Sequence, residues 1–147
     1  MFDMSQQEVC SKLNIVVCMK QVPNTKKVQL GTRTNTLDRS NINKMMNPAD
    51  ASALEQAYRL KKANGGKGSV RALTMGPRSA EDVLKQAARQ GADHLILVTD
   101  SAYVGSDTYA TAKILSRAIL ATGPFDLILC GRKTIDGETG QVGPQLS

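Results

Sequence analysis

The sequence predicts a doubly wound α/β fold, a mostly parallel sheet with helices on both faces. Three observations carry that prediction. Four short apolar runs, at 13–19, 69–75, 94–99 and 125–130, have the continuous Val, Ile and Leu character of strands buried on both faces. Between them lie three segments whose apolar residues recur at helical spacing. Each crossover is long enough to bring the next strand back parallel, and right-handed returns lay the helices over the sheet. At 147 residues, with 41% hydrophobic content, the chain suits one domain able to bury a core without disulfides.

Leu13 to Met19, LNIVVCM, is the first strand. Pro23 breaks the run, and the polar segment to Asn43, with Gly31 between two weakly alternating pieces, reads as a loop carrying a small hairpin. Asn47-Pro48-Ala49-Asp50 is a helix start. Asn caps free N–H groups, Pro at the first helical position has no N–H to leave unpaired, and Asp faces the positive end of the dipole. That helix runs to about Ala63 with Leu54, Ala57, Tyr58 and Lys61 on one stripe, and Asn64-Gly65-Gly66 ends it. The second strand, Ser69 to Met75, leads into Gly76-Pro77. A second helix follows, with Ala80, Val83, Leu84, Ala87 and Ala88 at i, i+3, i+4, i+7 and i+8, and Gly91 closes it. His94 to Thr99 is the third strand. Gly105-Ser106-Asp107-Thr108 caps a third helix whose buried stripe is Thr111, Ile114, Leu115, Ala118 and Ile119, and Gly123-Pro124 stops it. Phe125 to Cys130 is the fourth strand.

In such sheets ligands bind beyond the carboxyl ends of the strands. The stretch after the fourth strand has the composition for it. Gly131, Gly137, Gly140 and Gly143 permit tight turns and close backbone approach, Thr139 offers a hydroxyl, and a helix starts near the end of the chain. Helix-initial N–H groups lack intrahelical partners and favour an anion, so a phosphate is expected against this loop.

Several chemistries are excluded. The phosphate loop GxxxxGK[ST] is absent, since Gly66-Lys67 is followed by Gly68, and the glycines of the last loop have the wrong spacing and place for GxGxxG. His94 begins a strand, has no ligand set at metal spacing and no GxSxG elbow, so no metal and no triad are assigned. The net charge is +6, yet aromatic content is 3% with no Trp and the cations are dispersed, which argues against nucleic acid and fits a small polyanion or an acidic partner. Cys10, Cys18 and Cys130 form no CxxC pair and read as reduced. No run is long enough to span a bilayer and the first twelve residues lack a signal core, so a cytoplasmic location without membrane insertion is expected. What remains is a binding site without an evident nucleophile or base, suited to a cofactor that carries the chemistry itself.

The segments NIVVCMKQVPNT, MNPADASALEQAYRLK, MGP, GAD, GSDTYATA and DLILCGRKTIDGETGQVGPQLS together resemble the beta subunit of electron-transfer flavoproteins, in the branch that includes FixA-type proteins. The resemblance covers Leu13 to Ser147 and implies a Rossmann-like, adenine-nucleotide-binding fold. It implies a heterodimer with an alpha subunit holding FAD, while the beta subunit holds either AMP or a second FAD. It implies an electron-carrier subunit rather than a stand-alone enzyme, working with an acyl-CoA dehydrogenase-type or other flavin or quinone redox partner.

The resemblance also implies site residues. Cys18 would meet the adenine region, Asn47, Pro48, Ala49 and Asp50 would line the nucleotide, and Met75 would close the adenine pocket. Gly131 through Val142 would wrap the phosphates, chiefly through Gly131, Arg132, Asp136, Gly137, Thr139, Gly140, Gln141 and Val142, with Asn47 and Thr139 bonding the ligand and its surrounding loop. Asp107, Thr108 and Thr111 would contribute where a second flavin binds, as the electron-bifurcating site that takes a hydride from NADH. Ile135-Asp136 passes directly to Gly137-Glu138-Thr139-Gly140, a short form similar to the flavin-binding branch, which sets FAD ahead of AMP. Residues 1–12 fall outside the resemblance as an amino-terminal extension, and 13–147 form an incomplete nucleotide-binding domain, because family members continue through a further carboxyl-terminal part. Two other readings are an ATP-dependent adenylating enzyme on a related fold, and a truncated interaction module without nucleotide. The first is disfavoured because Lys20-Gln21-Val22-Pro23 stands where a serine and double-glycine loop is usual.

Overall fold

The computed structural model describes residues 11–24 and 43–147. Cys10, most of the expected extension and the Gly31 region of the expected hairpin lie outside them. The main sheet has four parallel strands in the order β5 (His94–Val98), β4 (Gly68–Met75), β1 (Leu13–Met19) and β6 (Leu127–Cys130). The predicted strands are therefore all present, with ends shifted by one or two residues. The chain moves outward from β1 to β4 to β5, then returns to the far side of β1 as β6. Loops leaving β1 and β6 consequently turn to opposite faces, and a crevice opens between them at the carboxyl ends.

Helices cover both faces. On one, α1 (Pro48–Ala63) and α2 (Glu81–Arg89) pack Leu54, Ala57, Val83, Leu84 and Ala87 onto Ile15, Val17, Val70 and Ala72. On the other, α3 (Thr108–Ala121) packs Leu115 and Ile119 onto Val16, Cys18 and Leu73, and the short α4 (Val142–Leu146) adds Val142 and Leu146. The alternation of strand side chains between these two cores is the reason β1 has no polar position between Ile15 and Met19.

Four details differ from expectation. Pro23 does not end strand structure: β2 (Gln21–Pro23) pairs antiparallel with β3 (Lys44–Met46), a ribbon separate from the main sheet. Three-residue strands are too short to show a period, and Pro is tolerated at the end of such an edge; burial of Val22 and Met46 anchors the ribbon. Tyr58 leaves the α1 stripe and is 42% exposed, its ring lying over Gly91. Ala88 is exposed, so the apolar face of α2 is narrower than its spacing suggested. A 3-10 turn, Arg78–Ala80, precedes α2 and carries Ala80 into the core.

Leu54 is fully buried between α1 and the sheet. Leu54→Ala should therefore lower unfolding free energy by about 2–5 kcal/mol, seen as a lower denaturant midpoint. Ala88→Ser should change it by less than about 0.5 kcal/mol.

Candidate functional site

The crevice floor is made by the ends of β1 and β6, where Cys18 is the register partner of Cys130. Above it lies a cavity of about 410 Å³. Its walls come from the residues after β1, from Met75 at the end of β4, from Tyr103 to Asp107 before α3 with Thr108 and Thr111 in its first turn, and from the loop 131–143 after β6. The fold thus brings four separate loops to one place.

What holds them is the start of α1. Asn47 is fully buried, and its side chain donates to the Lys133 carbonyl at 3.0 Å while its Oδ1 accepts the Ile135 N–H at 3.1 Å. Its backbone N–H donates to the Lys20 carbonyl at 2.9 Å. Three residues on, Asp50 accepts the N–H of Lys20 at 2.8 Å and that of Gly131 at 3.1 Å, one on each carboxylate oxygen. Two buried side chains therefore tie the loop after β1 and the loop after β6 to one helix end. This corrects the expected capping role of Asn47: it stands at the N-cap of α1 but makes no side-chain cap bond, because the side chain is committed to the loop.

Burial pushes the Asp50 carboxyl above the usual aspartate range, against the lowering effect of the bonds from Lys20, Asn47 and Gly131. Asp136 goes the other way. Partial burial opposes its charge, but the Lys20 ammonium at 2.8 Å, Thr134 and the Gly137 N–H outweigh it and hold the carboxyl below its ordinary value. The Cys18 thiol is pushed well up by its contact with Cys130, then by burial and by the Asp50 charge.

Gly131 is required by close approach. A Cβ there would stand 2.8 Å from both the Ala49 carbonyl carbon and the Asp50 nitrogen, atoms of a helix backbone that cannot move aside. Further along, Glu138 has φ +53°, the sole non-glycine with positive φ among the described residues. Such a conformation costs about 1–2 kcal/mol, and its N–H bond to the Thr134 carbonyl at 3.1 Å helps to maintain the turn. The turn presents Gly137, Thr139, Gly140 and Gln141 to the cavity, and the Gln141 N–H points at Thr139 Oγ1, 3.5 Å away. On the opposite wall Asp107 caps α3 by accepting the Ala110 N–H at 2.7 Å, which sets Thr108 and Thr111 on the lining.

The cavity is lined by most of the residues singled out in the sequence. Cys18, Asp50, Met75, Asp107, Thr108 and Thr111 are on its surface. So are Gly131, Arg132, Gly137, Thr139, Gly140, Gln141 and Val142. Asn47, Pro48, Ala49 and Asp136 are not on the lining, the first three lying in or beside the opening turn of α1 and Asp136 pairing with Lys20. Lining residues not anticipated include Lys20, Tyr103 and Cys130, while Lys133 and Thr134 fall within the stretch from Gly131 to Val142 expected to wrap the phosphates. Lys20 had a signal, since it directly follows the carboxyl end of a central strand. Cys130 had one too, sharing the strand-end position of Cys18. Tyr103 had none, because a 3-10 turn (Ser101–Tyr103) has no readable period.

The lining carries charges of both signs, the carboxylates of Asp50 and Asp107 beside the cations Lys20, Arg132 and Lys133. Lys20 is neutralised by Asp136, and Lys133 lies 3.8 Å from Glu138, whereas Arg132 makes no ion pair among the described residues. Among those residues no group of three or more His, Cys, Asp or Glu could hold a metal, and no helix is long and apolar enough to cross a membrane.

Comparison with known proteins agrees with this fold. The family described as electron transfer flavoprotein domain matches residues 34–147. The chain is 47% identical over 135 residues to the electron transfer flavoprotein subunit beta of Thermoanaerobacterium thermosaccharolyticum, covering 92% of this chain and 51% of that one. It is 44% identical over 139 residues to protein FixA of Sinorhizobium fredii, covering 92% and 48% respectively. It is 42% identical over 135 residues to the caffeyl-CoA reductase-Etf complex subunit CarD of Acetobacterium woodii, covering 92% and 51%. The chain spans about half the length of these relatives.

Two predictions follow from the joint at α1. Gly131→Ala should destabilise by about 1–3 kcal/mol through overpacking. Asp50→Asn, which turns one acceptor into a donor facing an N–H, should cost about 1–3 kcal/mol. Because both act on one contact, the double variant should lose less than the sum, measurable by urea unfolding. For Asp136 the depressed carboxyl means that its stabilisation is present above the ordinary value of 3.8 and is lost as pH falls through the folded value. Asp136→Asn should therefore be less stable than the parent by under about 1 kcal/mol near neutrality, as suits an exposed pair, and the gap should close below about pH 4.

Proposed function

The chain belongs to the electron transfer flavoprotein family, and from that membership we propose that residues 13–147 are the nucleotide-holding part of a beta subunit that carries electrons together with an alpha subunit. The observation that carries this reading is the cavity at the β1/β6 switch point, walled by four loops that supply backbone N–H groups, hydroxyls and cations.

We propose FAD as the occupant, with AMP as the alternative. The donor set fits the phosphate portion of either: Arg132 and the backbone from Gly137 to Val142 suit a phosphate or diphosphate, while Thr108 and Thr111 at the start of α3 suit sugar or ribityl hydroxyls. Cys18 and Met75 offer an apolar ledge to a flat ring. A second cavity of about 260 Å³ shares Lys20 and Met75 with the first, and this adjacency supports a dinucleotide. FAD, when bound, supplies the redox chemistry. The chain's own part is to bind and orient it: the Asn47 and Asp50 bonds keep the phosphate-facing loop in place. The name of the Acetobacterium relative supports an acyl-CoA-type oxidoreductase as redox partner, and the proposed location is cytoplasmic.

The test is to purify the chain in native complex with its alpha subunit, denature it, and identify the released nucleotide by mass. FAD in excess of what the alpha subunit accounts for is expected; AMP would make this a single-flavin carrier, and recovery of neither would sink the proposal. Arg132→Ala should weaken nucleotide binding about tenfold or more, as for loss of a charge-assisted hydrogen bond of about 1.5–3 kcal/mol. Unchanged affinity would assign Arg132 to solvent.

A further inference from the structure

The sheet register sets two thiols side by side at the switch point. We propose that Cys18 and Cys130 are a reversible oxidation site, a dithiol in the cavity floor that closes to a disulfide by exchange with a small-molecule disulfide. They are Cα partners on adjacent parallel strands. Paired strands lie about 4.7–4.9 Å apart, within the range of about 4.4–6.8 Å that a disulfide spans between Cα atoms. Both side chains are on the α3 face, in one cluster with Leu115 and Ile119, so their Cβ atoms share a direction. Both are free, and both line the cavity, which is the route for a reagent.

Exposure sets the order of events. Cys18 is only 7% exposed, whereas Cys130 is half-buried. Cys130 loses its proton to solvent and its sulfur attacks one sulfur of the small disulfide, forming a mixed disulfide and releasing one small thiolate. Cys18 then loses its proton and attacks Cys130 Sγ, forming the internal bond and releasing the second small thiolate. Two protein thiols are oxidised by two electrons, and one small disulfide is reduced to two small thiols once the released thiolates take up protons. The second step should be the slow one, because Cys18 is the more buried thiol, and it should quicken as pH rises, because only a thiolate attacks.

The test uses the full chain, incubated folded with oxidised glutathione, digested without reduction and mapped by mass spectrometry. The expected product is a peptide pair joined through Cys18 and Cys130, lighter by two hydrogens than the reduced pair and restored by dithiothreitol. Cys18→Ser should stop at a glutathione adduct on Cys130. A stable adduct on the parent chain, a link through Cys10 instead, or no reaction at Cys130 while the denatured chain reacts would each overturn the proposal. Saturating FAD or AMP should slow the linkage, since a nucleotide over the floor would cover both thiols. That arm alone rests on the proposed function: a link that forms at the same rate with nucleotide present leaves the dithiol site standing and counts against the nucleotide reading.

Discussion

The site depends on one buried polar joint, the Asn47 and Asp50 side chains at the start of α1. Between them they satisfy one carbonyl and three N–H groups of the loops after β1 and β6, all partly buried. Leaving a buried group of this kind unpaired costs about 1–3 kcal/mol, so loosening either side chain would be felt by both loops. The joint is also the reason Gly131 must be glycine, because the loop has to pass within contact of the α1 backbone for the bonds to form. A helix start, a strand end and a loop base are therefore one structural unit.

Magnitudes separate the base of the loop from its tip. Its base is fixed by buried bonds, while its tip is held by the Lys20–Asp136 pair, whose side chains are 47% and 30% exposed, and by the longer Lys133–Glu138 pair. Exposed pairs contribute at most about 1 kcal/mol. The tip also holds the strained Glu138 backbone. Local opening should thus begin at 136–140 and spare 131–135, which leaves the cavity-facing turn adjustable on a rigid footing.

Much of the fold was legible because its elements obey short-range rules. The apolar runs, the Asn47-Pro48 helix start and the Asp107 cap each report on neighbours within one turn or one strand. Tyr58 and Ala88 misled, since helical spacing says which residues share a stripe but not how wide a stripe the sheet can cover. The ribbon of Gln21–Pro23 with Lys44–Met46 was illegible because its partners are far apart in sequence and each strand is too short to alternate. At the site, glycine spacing and the family likeness pointed to the cavity lining. They did not separate residues that face the cavity from residues that hold it together, and Asn47 belongs to the second kind.

By itself the sequence determined the fold class, the four main strands, the helices between them and the family, because these follow from periodicity, caps and matched segments along the chain. Only the tertiary structure decided the order β5-β4-β1-β6, the use of the Asn47 and Asp50 side chains on distant loops, the Lys20–Asp136 pair and the alignment of Cys18 with Cys130. Each of these joins residues many positions apart. Their meeting depends on which strand neighbours which, and no local pattern carries that information.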